Sequence, residues 1–172
     1  VPTGARALLT CVPTVNKAAV AAVVGATQAA EAVGNRLAAV LAGFGAINDS
    51  ARRIGVPTLG LSHGTVSGCM TEHGVPMAGL DHEFTTTSLF RAGAQAFLLG
   101  HIHKHQHWED NGRVIAYAGS VGRFHHGEPD AKGFLIWQVG ANTVDFELVT
   151  TPARRTVDLT FEGPPDVDVI AA

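Results

Sequence analysis

The chain has 172 residues, is 46% hydrophobic and 16% charged, and carries a net charge of −3 with its histidines neutral. That length fits one domain of ~100–200 residues. The composition excludes an intrinsically disordered chain, and the charge excludes a broadly basic surface, so any contact with nucleic acid must be local. Ala7-Leu8-Leu9-Thr10-Cys11 reads as a first strand. Two cysteines, Cys11 and Cys69, make no disulfide framework, which predicts free thiols and a cytoplasmic setting. The longest apolar run, Ala18 to Ala30, is broken by Thr27 and Gln28 and fenced by Lys17 and Glu31. It falls short of the ~20 apolar residues that span a bilayer, so no membrane partner is expected.

Fourteen of the 26 alanines lie in the first 50 residues, and alanine is the best helix former, so Val15 to about Arg53 is predicted helical. Gly25, Gly34, Gly43 and Gly45 are expected to divide it into two or three pieces, each interior glycine costing roughly 1 kcal/mol against alanine. Gly55-Val56-Pro57 ends the helical region, and Thr58 to Ser62 reads as a buried strand with His63 at its end. Thr85, Thr86 and Thr87 offer N-caps for a short helix through Ala92. Gln95 to Leu99 and Val114 to Ala118 read as further buried strands, the second ending at Gly119-Ser120. Gly133 to Val139 and Thr143 to Val149 form a hairpin about Gly140-Ala141-Asn142, and Thr156 to Phe161 alternates like another strand. The order predicts a mixed α/β or α+β fold with helices against a sheet. The stretch after Gly163-Pro164-Pro165 reads as a linker, and the start at Val1 suggests a piece of a longer protein.

Six of the nine histidines lie between positions 101 and 126. Imidazole is the commonest metal ligand near neutral pH. In Leu98-Leu99-Gly100-His101-Ile102-His103 an apolar strand runs into a glycine that permits a sharp turn, then into two histidines. If that pair stays extended, both rings point to one side. His63 stands at another strand end, and ligands gather at the carboxyl ends of strands in α/β sheets. His63, His101 and His103 are therefore expected to converge as metal ligands. His105 and His107 read as a solvated loop, with Trp108 packing over it. His125 and His126 either line the same cleft or face solvent, and His73 and His82 are given no role.

Gly100-His101-Ile102-His103-Lys104 resembles the last motif of the calcineurin-like metallophosphoesterases, and Leu61-Ser62-His63-Gly64 resembles the motif before it. The later order of Gln106, Tyr117-Ala118-Gly119-Ser120, Glu128 and Lys132-Gly133-Phe134 resembles the SbcD-type DNA repair exonucleases. Thr151-Pro152-Ala153-Arg154-Arg155 resembles the exit towards their capping domain. The resemblance runs from about His63 to Phe161. It implies a four-layer α/β/β/α sandwich with a mixed sheet and outer helices, in which residues 1–161 are the C-terminal half of the catalytic domain and 162–172 a linker. It further implies two divalent metals, commonly manganese, a DNA substrate and an ATPase partner subunit. By motif position, His63 and His101 are ligands of one metal and His103 of the other. Two such metals clamp a phosphodiester and lower the pKa of a bridging water. Lys104, Arg123 and Ser120 flank the expected site and are candidates for phosphate contact.

The departure from that family lies upstream. Its Asp-x-His, Gly-Asp-x-x-Asp and Gly-Asn-His motifs, which supply the bridging carboxylate and the catalytic histidine, are not found; the first aspartate is Asp49, Gly34-Asn35-Arg36 lacks the histidine, and Asp81-His82 lacks the spacer. Three neutral imidazoles provide neither charge nor bridge, so the chain by itself is expected to be inactive, to prefer zinc or nickel to manganese, and to self-associate through an uncovered apolar face. A second reading is a non-catalytic metal-binding or dimerising fragment. A cupin is excluded by the misplaced Glu109 and the alanine-rich first third.

Overall fold

The computed structural model describes residues 6–14, 21–22, 25–75 and 83–157. The fold is mixed α/β. Its elements in order are β1 (Leu8–Val12), α1 (Ala26–Arg53), β2 (Thr58–His63), β3 (Thr65–Val66), β4 (Glu83–Phe84), α2 (Thr86–Arg91), β5 (Ala96–Gly100), β6 (Gln106–Asp110), β7 (Arg113–Tyr117), β8 (Gly133–Val139) and β9 (Val144–Thr150). The main sheet has the order β1-β2-β5-β7-β6. The first four strands are parallel, and β6 closes the edge antiparallel to β7. β3 pairs with β4 in parallel, and β8 with β9 as an antiparallel hairpin.

The first helix corrects part of one expectation. The region is divided at Gly25, with residues 21–22 helical before it, but Gly34, Gly43 and Gly45 make no further break: Ala26–Arg53 is one helix of 28 residues. Only Gly25, at φ 87° in the N-cap position, marks a boundary. Gly45 is kept for packing: a Cβ there would stand 2.3 Å from the Arg91 carbonyl oxygen, so only glycine lets α2 come this close. Val33, Leu41 and Asn48 are buried along one stripe of the helix, with Leu37 and Phe44 packed between them, and that burial outweighs the glycine penalty. The helix stops in a hydrogen-bonded cap: the Gly55 N–H donates to the Arg52 carbonyl and the Val56 N–H to that of Ala51, with Gly55 at φ 79°. The Asn48 amide donates to the Thr10 hydroxyl (3.0 Å) and to the Ala92 carbonyl (2.7 Å), tying α1 to β1 and to the end of α2. At the other short helix, the Thr85 hydroxyl caps α2 by accepting from the Ser88 N–H.

The core lies on the sheet face that carries Val12, Phe97, Leu99, Ile115 and Tyr117, all buried. On the opposite face, at the β1–β2 edge, Leu9 and Leu61 are 54% and 45% exposed.

The second correction is β6. Gln106–Asp110 is not a solvated loop but a strand paired with β7 through a tight turn at Asn111 (φ 50°) and Gly112 (φ 71°). Asn-Gly with both residues at positive φ is the strongest short hairpin signal in a sequence. Trp108, expected to pack over a loop, packs from this strand against the core, edge-on to Tyr117 at 6.0 Å. Thr156 and Val157 are not in a strand. The remainder of that expected strand, the linker at 162–172, His82, and the expected helical residues 15–20 and 23–24 lie outside the described residues. Both cysteines are free, Cys11 exposed and Cys69 buried. Among the described residues, no helix is long and apolar enough to cross a membrane.

Candidate metal centre

His63 ends β2 and Gly100 ends β5, and the two are register partners in adjacent parallel strands. The imidazoles of His63 and His101 therefore meet at the carboxyl edge of the sheet, edge-to-face with ring centroids 5.2 Å apart. Gly100 does not make the turn that the sequence suggests. A Cβ on Gly100 would lie 2.9 Å from His63 Nδ1, so the missing side chain leaves room for the His63 ring. The turn is made by His101 itself, at φ 109°, a region that residues with a Cβ rarely enter. Such strain is retained where surrounding structure imposes it, and it clusters at functional sites.

The strand ends are braced from beneath. The Thr14 hydroxyl donates to the His63 carbonyl (2.7 Å), and the Ser62 hydroxyl to that of Val12 (2.8 Å). The Tyr117 hydroxyl donates to the Gly64 carbonyl (2.6 Å) and accepts from the Val66 N–H (2.9 Å), pinning the loop after His63. Burial pushes the Tyr117 phenol far above its ordinary pKa, so it stays a donor. A groove of about 510 Å³ runs beside the pair, lined by Cys11, Thr14, Leu61, His63 and Gly100 among others.

The expected convergence of three rings assumed an extended backbone, and His101, at φ 109°, is not extended. His103 Nδ1 lies 3.5 Å from Glu128 Oε1, and its ring packs on Phe124. One ligand atom each from Glu72, His103, His125 and Glu128 lie within 4.8 Å of one another. Glu128 is fully buried, and its Oε2 accepts from Lys132 Nζ (2.7 Å) and from the Phe124 N–H (3.3 Å). Burial alone would raise its pKa, but the hydrogen bonds from Lys132 and Phe124 and the nearby charges of Lys132 and His125 bring it below the ordinary value. Glu72 is lowered in the same way: desolvation opposes, and hydrogen bonds from its own backbone and from His125 prevail. Glu72 was missed because a lone glutamate after Cys69-Met70-Thr71 carries no pattern. Its place is set by Gln106, whose side-chain amide pairs with both the N–H and the carbonyl of Met70 (2.9 and 2.8 Å).

The other expected site residues are engaged within the chain. Lys104 pairs with Asp130 at 2.7 Å. The Arg123 guanidinium donates to the backbone carbonyls of Glu128, Arg154 and Asp130. Ser120 is buried, its N–H donating to the His103 carbonyl (3.3 Å). His105 Nδ1 lies 2.8 Å from the Tyr117 carbonyl, and the rings of His105 and His107 pack on Phe146 of β9, which gives them a structural place. His73 stacks on His125 at 4.8 Å. No family model matches the sequence, and no curated protein matches it.

The geometry tests the dinuclear centre that the sequence motifs imply. His63 and His101 offer two neutral imidazoles to one ion. Among the described residues, the one group of three or more convergent His, Cys, Asp or Glu ligands includes neither of them. The donors present thus suit half of one metal's coordination sphere and do not fit a two-metal centre, which needs anionic bridging ligands.

Proposed function

We propose that this chain carries the histidine half of a metal-dependent phosphodiester hydrolase site, of the DNA exonuclease kind and of the four-layer sandwich architecture. The observation that carries the reading is the His63–His101 pair at adjacent parallel strand ends, with Gly100 vacated for the His63 ring. These imidazoles hold one side of a divalent ion, and the strained His101 backbone keeps the second ring on the first. A carboxylate bridge has to come from a segment bearing the Asp-x-His and Gly-Asp-x-x-Asp motifs, which the 172 residues lack. DNA as substrate rests on the motif order from His63 to Phe134.

The test is an assay of the purified chain on bis-p-nitrophenyl phosphate and on end-labelled DNA with manganese. No turnover is expected from the chain alone. Turnover should appear on adding a polypeptide that bears the missing motifs, and should vanish in His101→Ala. Persistent silence, with that polypeptide bound, overturns the hydrolase reading. The reading left standing would then be a metal-binding or dimerising module, which the exposed Leu9 and Leu61 on the open sheet face favour.

A further inference from the structure

We infer that Glu72, His103, His125 and Glu128 form a separate site for one divalent cation of the zinc class, which clasps the Glu72 loop to the loop of His125 and Glu128. The inference goes beyond the hydrolase reading and competes with it for His103.

The first support is convergence. His125 Nε2 lies 3.0 Å from Glu72 Oε1 and 3.0 Å from Glu128 Oε1, and His103 Nδ1 lies 3.5 Å from the same Glu128 oxygen. A tetrahedral zinc with bonds of ~2.0–2.2 Å places its ligand atoms ~3.3–3.6 Å apart. The observed contacts of 3.0 and 3.5 Å, in a set that lies within 4.8 Å, bracket that spacing.

The second support is independent. His103 Nδ1 and Glu128 Oε1 are both buried and lack a hydrogen-bond partner. The Glu128 side chain is completely buried, and its Oε1, which accepts no hydrogen bond, faces the two imidazoles. Buried polar atoms are nearly always satisfied, and two atoms without hydrogen bonds that are aimed at one point leave a place that a cation would fill.

The surroundings fit as well. Lys132 and the Phe124 N–H fix Glu128 Oε2, which leaves Oε1 as a single ligand atom of set direction. Lys132 also donates to the His103 carbonyl (3.1 Å), and Gln106 fixes Met70 beside the Glu72 loop. Two imidazoles and two carboxylates suit zinc, cobalt or nickel, whereas magnesium and manganese favour oxygen-rich sets. Two carboxylates against one lysine leave the site net negative, as a dication requires. Residues 118–132 have no helix or strand, so a cross-link there sets the loop where backbone ladders do not.

The metal-stripped full chain is titrated with cobalt, whose visible absorption is intense only in low-symmetry four- or five-coordinate sites. One equivalent should bind with an intense band, and zinc should displace it. The double variant Glu72→Gln/His125→Ala, which leaves the buried Glu128–Lys132 pair in place, should weaken binding about 100-fold or more, since even an outer partner is worth ~10–100-fold. His63→Ala, outside the cluster, should leave this one-equivalent band in place, with circular dichroism confirming that each variant is folded. Absence of a one-equivalent intense band overturns the inference. So does binding that survives the double variant, or binding that disappears in His63→Ala. The nuclease assay reads the His63–His101 pair through His101→Ala, so its failure is distinguishable from failure of the cobalt titration.

Discussion

His63 and His101 stand on hydrogen-bonded parallel strands, whereas Glu72, His103, His125 and Glu128 are brought together by loops. At the strand ends, position follows from sheet register, and the one costly feature is the backbone of His101. In the loop cluster, ordinary backbone serves and the cost lies in side chains: one carboxylate oxygen and one imidazole nitrogen buried without a hydrogen bond. A sheet edge places a ligand by covalent geometry and register, so a short motif suffices to find it. A loop site depends on buried charge pairs such as Glu128–Lys132, which no periodic pattern in the sequence marks.

The largest expected effect separates the two regions at once. Lys132→Met leaves Glu128 buried and uncompensated, which should destabilise the fold by ~3–5 kcal/mol. Chemical denaturation reads the loss. The replacement Lys132→Met/Glu128→Leu should recover most of it. A loss below about 1 kcal/mol in Lys132→Met would mean that the loop cluster is not held by that pair.

The strand-end region should respond in the opposite direction. His101→Gly removes the Cβ that makes φ 109° costly, and is expected to stabilise the fold by ~1 kcal/mol while abolishing any metal binding that depends on His63. A destabilised His101→Gly would mean that the imidazole contributes more through packing than its backbone costs.

The smallest effect is the pH response. Glu72 and Glu128 both titrate below the ordinary glutamate value of 4.5. The unfolded chain therefore binds their protons more readily than the folded one. Their contribution is complete above pH about 4.5 and is lost as pH falls through their lower folded values. Hydrogen exchange around residues 121–130 should rise first on acidification, and Glu72→Gln should flatten the change. Equal acceleration at β2 and β5 would erase the contrast.

Strand and helix positions in the described core were legible because their signals are local: the apolar runs at Thr58–Ser62 and Gln95–Leu99, the Thr85 cap, and the Gly140-Ala141-Asn142 turn. The Asn111-Gly112 turn was equally local but was masked by the run of histidines before it. The His63–His101 contact followed from the same local signals, because both residues end strands and parallel neighbours share an edge. By itself the sequence determined the α/β order, the strand ends and the histidines placed at them. Only the tertiary structure decided that α1 runs unbroken through Gly34, Gly43 and Gly45, since the close approach of the Arg91 carbonyl belongs to packing and not to propensity. Only the tertiary structure showed that His101 turns at a positive φ, which no local signal marks, and brought Glu72 and His103 to Glu128, because side-chain convergence between loops leaves no periodic trace in a sequence.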